Sequence, residues 1–159
     1  MKVKTREELA EIIGRHKAAG RRVVLANGCF DLLHGGHISY LEDSKKVGDI
    51  LVVAVNSDAS IKRLKGDKRP IFPQKERLEI LEALECIDYI MVFDEPTVDG
   101  LLRELRPDVH SKGTDYTRDT VPERRTALEL GIETHIAGAP KENATKDIIQ
   151  VILERYKKE

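Results

Sequence analysis

The chain has 159 residues, 40% hydrophobic and 35% charged, with 27 basic residues against 28 acidic ones and a net charge of -1. That length suits one domain over residues 1-159, able to bury about two-thirds of its unfolded surface without a disulfide or metal staple. The neutral balance argues against a general nucleic-acid binder, two cysteines (Cys29 and Cys86) cannot make a disulfide framework, and no apolar run is long enough for a membrane-spanning helix.

The first eight residues carry no apolar signal core, which predicts a cytoplasmic protein. Thr5 with Glu8 has the pattern of a capping box and predicts a helix to about Ala19, ended by Gly20. Arg22 to Asn27 reads as a strand, Gly28 to Gly36 as a loop, and Gly36 to Val47 as a helix stopped by Gly48. Ile50 to Asn56 is apolar at six consecutive positions, the mark of a strand covered on both faces of a parallel sheet. Pro73 opens a helix expected over Lys75 to Glu85. Tyr89 to Phe93 is the next strand, and Thr97 caps a helix that ends before Pro107. A short strand Val109 to Ser111, a helix Pro122 to Leu130 and a strand Ile132 to Ile136 follow. Thr145 is expected to cap a closing helix that ends near Tyr156.

Strands alternating with helices predict an α/β fold: a doubly wound parallel sheet of about five strands with helices on both faces. Such sheets bind ligands beyond the carboxyl ends of their strands, at the switch point. The site is therefore expected just after Asn27, Asn56 and Ser111.

The first of these exits reads Gly28-Cys29-Phe30-Asp31-Leu32-Leu33-His34-Gly35-Gly36-His37. It has neither the G-x-G-x-x-G spacing of dinucleotide sites nor a Gly-Lys-Ser/Thr phosphate loop. His34 and His37 lie three apart at a helix start and can face one way. Gly36 allows close approach to the backbone, and the first-turn N–H groups attract an anion. Three readings stand side by side: a phosphate site, two structural histidines, or a metal site with Cys29, which lacks a fourth ligand.

This loop resembles the Gly-x-Phe-Asp-x-x-His-x-Gly-His signature of the cytidylyltransferase-like nucleotidyltransferases. The resemblance extends to Val55-Asn56-Ser57-Asp58-Ala59-Ser60, to Arg63 through Pro70, to Glu76-Arg77 and to Lys112-Gly113-Thr114-Asp115-Tyr116. In this order the segments are similar to the adenylyltransferases of ADP-heptose biosynthesis, which act on a heptose 1-phosphate. The resemblance covers about residues 22 to 152 and implies a Rossmann-like fold. It implies transfer of AMP from ATP, or a nucleotidyl group from another triphosphate, to a sugar phosphate with release of pyrophosphate. Mg²⁺ is expected to arrive with the nucleotide, with no metal site of the protein's own. A homo-oligomer and a companion sugar kinase are further implications, and neither nucleic acid nor membrane is an expected partner.

By the resemblance His34 and His37 contact the triphosphate, and Lys65 binds phosphate as part of the catalytic set. Gly28, Cys29, Phe30, Asp31, Gly36, Lys112, Gly113, Asp115 and Thr145 are expected around the nucleotide. Asn56, Asp58, Arg69 and Arg77 are expected around the second substrate. The residues themselves leave other roles open. Asp31 suits a loop organiser that accepts N–H groups, and Phe30 suits the core. The basic run Lys62, Arg63, Lys65, Lys68 and Arg69 also suits a solvated surface, and Arg77 a surface ion pair. Lys112 to Tyr116 also suits a plain turn. Relatives carry a hydroxyl run where this chain has Ala144-Thr145-Lys146, and only Thr145 keeps a hydroxyl. His16, His110 and His135 read as structural or surface residues. The alternatives are a cytidylyltransferase for glycerol phosphate or another polyol phosphate, and a non-catalytic nucleotide-binding module. A class I aminoacyl-tRNA synthetase fragment fails on length and on Lys141 to Lys146, which lacks that class's lysine signature.

Overall fold

A computed structural model describes residues 1–140 and 144–157. Lys141, Glu142 and Asn143, part of the segment read against the synthetase signature, lie outside the described residues. The elements run α1 (Arg6–Ala18), β1 (Val23–Gly28), α2 (Gly35–Lys46), β2 (Ile50–Asn56), α3 (Asp58–Lys65), α4 (Gln74–Glu82), β3 (Tyr89–Phe93), α5 (Asp99–Leu105), β4 (Val109–Gly113), α6 (Arg124–Leu130), β5 (Glu133–Ala137) and α7 (Thr145–Arg155).

The five strands form one parallel sheet in the order β3-β2-β1-β4-β5. Strand order reverses between β1 and β4, so the switch point lies beyond Gly28 and Gly113. The two-residue side-chain period divides the core between the faces. Val23, Leu25, Val52 and Ala54 pack with Leu9 and Ile13 of α1, with α5 and with Ala127 of α6. Val24, Ala26, Leu51, Val53 and Val55 pack with Tyr40 and Leu41 of α2 and Leu81 of α4. Each such fully buried aliphatic side chain stabilises the fold by about 1.5–3 kcal/mol. Residues 2–4 run beside β3 through a Val3–Ile90 bridge, which covers that edge.

The Thr5–Glu8 capping box forms as the sequence predicts. Three local expectations change. A helix, α3, occupies the end of the Val55 to Ser60 segment and the start of the basic run, where no helix was expected; Ser57 caps it by accepting the Ser60 N–H at 3.1 Å. The N-cap of α5 is Val98, while Thr97 gives its hydroxyl to Asp99. The N-cap of α7 is Ala144, whose N–H goes to Asp147, and Thr145 is the first helical residue. In each of the last two, the hydroxyl has a nearby oxygen to serve and leaves the cap position to its neighbour.

Gly48 turns the chain from α2 into β2 against the start of β1. A Cβ there would lie 2.5 Å from Val24 Cγ2 and 2.9 Å from the Arg22 carbonyl oxygen. Gly48→Ala should therefore destabilise the domain by about 1–3 kcal/mol. Thermal unfolding followed by circular dichroism should show a Tm lower by about 3–10 °C, and an unchanged Tm would contradict this packing.

Candidate active site

The mouth of the site is set by how α2 seats on the sheet. The Tyr40 hydroxyl donates to the Ser111 carbonyl at 2.6 Å and accepts the Asn27 N–H at 3.3 Å. Burial pushes this phenol well above its ordinary pKa, so it stays a donor. Ser44 bonds the Tyr40 carbonyl and the Ser111 hydroxyl, each at 2.7 Å. These buried bonds tie α2 to the ends of β1 and β4, and so bring its N-terminus to the switch point.

His34 is the N-cap of α2. Its Nδ1 accepts the Gly36 N–H at 3.1 Å, and its own N–H donates to His37 Nδ1 at 3.1 Å. The first-turn N–H of Gly36, expected to be open to an anion, is thus taken by the cap. Each ring accepts through Nδ1, so each carries its proton on Nε2 and donates from there. The ring centroids are 3.9 Å apart. Gly36 is required by this pairing, since a Cβ would lie 2.9 Å from His34 Cε1.

The loop before the helix is held open by buried charge. Phe30 and Leu32 adopt left-handed φ values of 52° and 47°, conformations that non-glycine residues hold only when the surroundings impose them. The surroundings here are hydrogen bonds. The Asp31 carboxylate, 1% exposed, accepts Arg69 Nε at 2.9 Å, Ile71 N–H at 2.8 Å and Phe72 N–H at 2.9 Å. Burial alone would raise its pKa, but these donors outweigh burial and hold it below the usual range. The Asp31 carbonyl accepts the Thr145 hydroxyl at 2.9 Å, joining α7 to the loop. Phe30 is buried, as the sequence suggests, 5.7 Å from the His37 ring.

Arg77 is fully buried on α4 and does not line the cavity. Its guanidinium donates to the Cys29 carbonyl at 2.7 Å, the Asn56 carbonyl at 2.8 Å, the Phe72 carbonyl at 3.1 Å and the Asp58 carboxylate at 2.8 Å. It is neither a surface ion pair nor a group facing ligand; it fastens the exits of β1 and β2 together. Asp58, its partner, also accepts the Gln74 N–H and stands outside the cavity lining.

The cavity itself measures about 380 Å³ and opens at the switch point. Gly28, Cys29, Phe30, Asp31, Gly36, His37, Asn56, Lys65, Arg69, Lys112, Gly113, Asp115 and Thr145 all line it. His34 does not line it; its ring lies against that of His37, tilted by 38°. Of the basic run, Lys65 and Arg69 reach the cavity, while Arg63 pairs with Asp94 at 2.9 Å. Lys112 Nζ stands 4.7 Å from the centre of the Tyr116 ring. Burial raises the Cys29 thiol, against the pull of Lys65, Arg77 and Arg69, so it stays protonated at neutral pH.

Sequence reasoning missed several walls: Asn27, Tyr40, Leu64, Phe93, Pro96, Thr97, Tyr116, Pro122 and Glu123. Most arrive from the β3–α5 and β4–α6 loops, which beyond the Lys112 to Tyr116 segment carry no phosphate-type motif. His110, read as structural, reaches the site through Asn27: its Nε2 lies 2.9 Å from Asn27 Oδ1. Burial, then the Lys112 charge, lowers its pKa to about 3, so the ring is neutral and orients the Asn27 amide.

A parallel-sheet switch point with donor imidazoles and cations around one cavity defines a nucleotide-handling α/β domain. The sequence pattern described as cytidylyltransferase-like matches residues 25–151. The chain belongs to this cytidylyltransferase-like family and is a nucleotidyltransferase domain. It is 50% identical over 158 residues to the bifunctional protein HldE of Geobacter sulfurreducens, covering 99% of this chain and 32% of that protein. With the bifunctional protein HldE of Helicobacter acinonychis it shares 46% identity over 155 residues, 98% of this chain and 32% of the relative. The chain thus spans about a third of the length of these relatives. A solved structure, the lipopolysaccharide core biosynthesis protein of Thermoplasma volcanium, superposes with a TM-score of 0.66 at 32% identity, over 77% of this chain and all of that one. Among the described residues, no helix is long and apolar enough to cross a membrane.

Two buried ionisable groups, His110 and Asp31, set a pH dependence. His110 is neutral when folded but takes a proton below about pH 6.5 when unfolded, so stability falls as pH drops from there toward 3. Asp31, with a depressed folded pKa, contributes fully above about pH 4 and loses its contribution at lower pH. Urea unfolding at pH 7, 6 and 5 should show declining stability, and His110→Gln should flatten that decline. An equal slope in the variant would contradict the neutral buried ring.

Proposed function

We propose that the chain transfers AMP from ATP to a sugar 1-phosphate of the heptose type and releases pyrophosphate. One observation carries the reading: His37, Lys65, Arg69 and Lys112 converge on a single cavity at the switch point. Three of these are cations and the fourth donates from Nε2, which suits two anionic substrates meeting. The likeness to the bifunctional HldE proteins and to a lipopolysaccharide core biosynthesis protein supports a sugar substrate.

The chemistry asks little covalent help of the protein. A sugar phosphate is mostly dianionic at neutral pH, because its second pKa is about 6, so no general base is needed. Its oxygen attacks the α-phosphorus, the new P–O bond forms, and the bond to the bridging oxygen of the β-phosphate breaks. Pyrophosphate leaves with that electron pair. The barrier is repulsion between anions, so catalysis rests on positioning and on donors aimed at the transition-state oxygens. In this reading His37 donates from Nε2 to the phosphate chain, and His34, in ring contact with it, caps α2 and orients its partner. Lys65 and Arg69 hold the sugar phosphate, and Lys112 neutralises the nucleotide. Arg69 is already bonded to Asp31, which fixes its direction. Thr145 ties α7 to the signature loop beside the nucleotide.

Mg²⁺ keeps phosphate and water oxygens as ligands and rarely needs an all-protein cage. Among the described residues no group of three His, Cys, Asp or Glu is placed to hold a metal ion. On that ligand preference we assign Mg²⁺ to the nucleotide's phosphate oxygens, where it would supply charge neutralisation.

A pyrophosphate-release assay over four triphosphates and a set of sugar phosphates should give turnover with ATP and a heptose 1-phosphate; strict CTP dependence would contradict the adenylyl assignment. In the same assay His37→Ala and His34→Ala should each lower kcat by about 10²–10³-fold. Lys65→Ala should raise the KM for sugar phosphate or lower kcat, and unchanged kinetics would return Lys65 to the surface.

A further inference from the structure

We propose that Glu123 selects the sugar, its carboxylate accepting a hydrogen bond from one sugar hydroxyl; this rests on the reading of the cavity as a sugar-phosphate nucleotidyltransferase site. Glu123 is the N-cap of α6 and one of the walls of the cavity, yet it is 2% exposed. Its Oε2 accepts the Val98 N–H at 3.1 Å, linking the β4–α6 loop to the start of α5. Its Oε1 is buried and has no hydrogen-bond partner among the described residues. No ion pair among the described residues involves Glu123. A buried carboxylate oxygen with no donor is costly, so a group that lines a ligand cavity in this state is completed by the ligand.

The surroundings decide what kind of donor it takes. A phosphate is a poor match, because it would bring a second anion to a carboxylate that forms no ion pair among the described residues. The cations lining the cavity belong to α3, to the segment before α4 and to the exit of β4. The apolar walls of the same cavity include Phe93, Pro96 and Pro122, the last next in sequence to Glu123, and the partly exposed Thr97 precedes the Val98 that bonds Glu123. Apolar walls that meet C–H faces, next to one acceptor for an O–H, are what a neutral polyhydroxy ring requires. A site built to bond a hydroxyl also rejects analogues that lack it, because its own polar atom is then left unpaired.

The test uses the full chain in the pyrophosphate assay. Glu123→Gln keeps the shape and can still accept the Val98 N–H, but presents an N–H₂ where Oε1 stood. It should raise the KM for the sugar phosphate by about 10–100-fold while the KM for ATP stays within about twofold. On the unaltered chain, one monodeoxy sugar phosphate should lose about 10–100-fold in kcat/KM, and E123Q should show no such loss for that analogue. Glu123→Asp, which keeps the charge and draws it back, is scored in the same way and serves if E123Q loses its thermal unfolding transition. A sugar-phosphate KM within twofold of the unaltered chain in the folded variant overturns the inference. So does a shift in the ATP KM alone, which would place the carboxylate on the nucleotide. If no monodeoxy analogue loses activity on the unaltered chain, the inference fails whatever the variants do. Absence of pyrophosphate release by the unaltered chain with every sugar phosphate is a separate result, seen before any variant is made; it overturns the functional reading and this inference with it.

Discussion

The site depends on a guanidinium that no ligand is placed to touch. Arg77 is fully buried, and its four hydrogen bonds reach the exits of β1 and β2, the Phe72 carbonyl and the Asp58 carboxylate. Burying a charge is costly unless it is paired and hydrogen-bonded, and here the Asp58 carboxylate pairs it while three backbone carbonyls at the turns that shape the cavity accept from it. The same logic runs in reverse at Asp31, a buried anion completed by two backbone N–H groups and Arg69. Each ion needs its loop in one conformation, and each loop needs its ion. The strained backbone at Phe30 and Leu32 persists within that mutual requirement.

This arrangement separates residues that build from residues that act. Tyr40, Ser44 and His110 sit one layer behind the cavity surface or at its edge and fix α2, the β4 exit and the Asn27 amide. None of them needs to change protonation at neutral pH, since burial raises the phenol and lowers the imidazole. The groups left facing the cavity include Lys65, Arg69, Lys112 and His37, which come from different elements. Preorganised donors of this kind stabilise developing charge without rearranging during the reaction.

The strand exits were legible in the sequence because a parallel sheet buried on both faces leaves nearly continuous apolar runs, as in Ile50 to Asn56. The signature loop was legible because its residue types are tied to local geometry: Gly36 leaves room for the His34 ring, and the two histidines pair within one helical turn. Arg77 was placed with the substrate residues or at the surface because a lone Arg beside acids on a helix gives no sign of three backbone carbonyl partners and a carboxylate contact. Helix α3 was hidden by its basic run, and the Ser57 cap at its start is seen only in the structure. Glu123 and the β3–α5 loop were invisible for a different reason. They meet through the Val98 N–H and the Glu123 carboxylate, a long-range contact that leaves no pattern in either segment.

The account turns on where the nucleotide's phosphates rest, and a crystal structure with a non-hydrolysable ATP analogue measures that directly. The phosphate chain should lie at the N-terminus of α2, within hydrogen-bond reach of His37 Nε2 and beside Lys112. A phosphate chain held elsewhere, with both imidazole rings in unchanged contacts, would contradict the account.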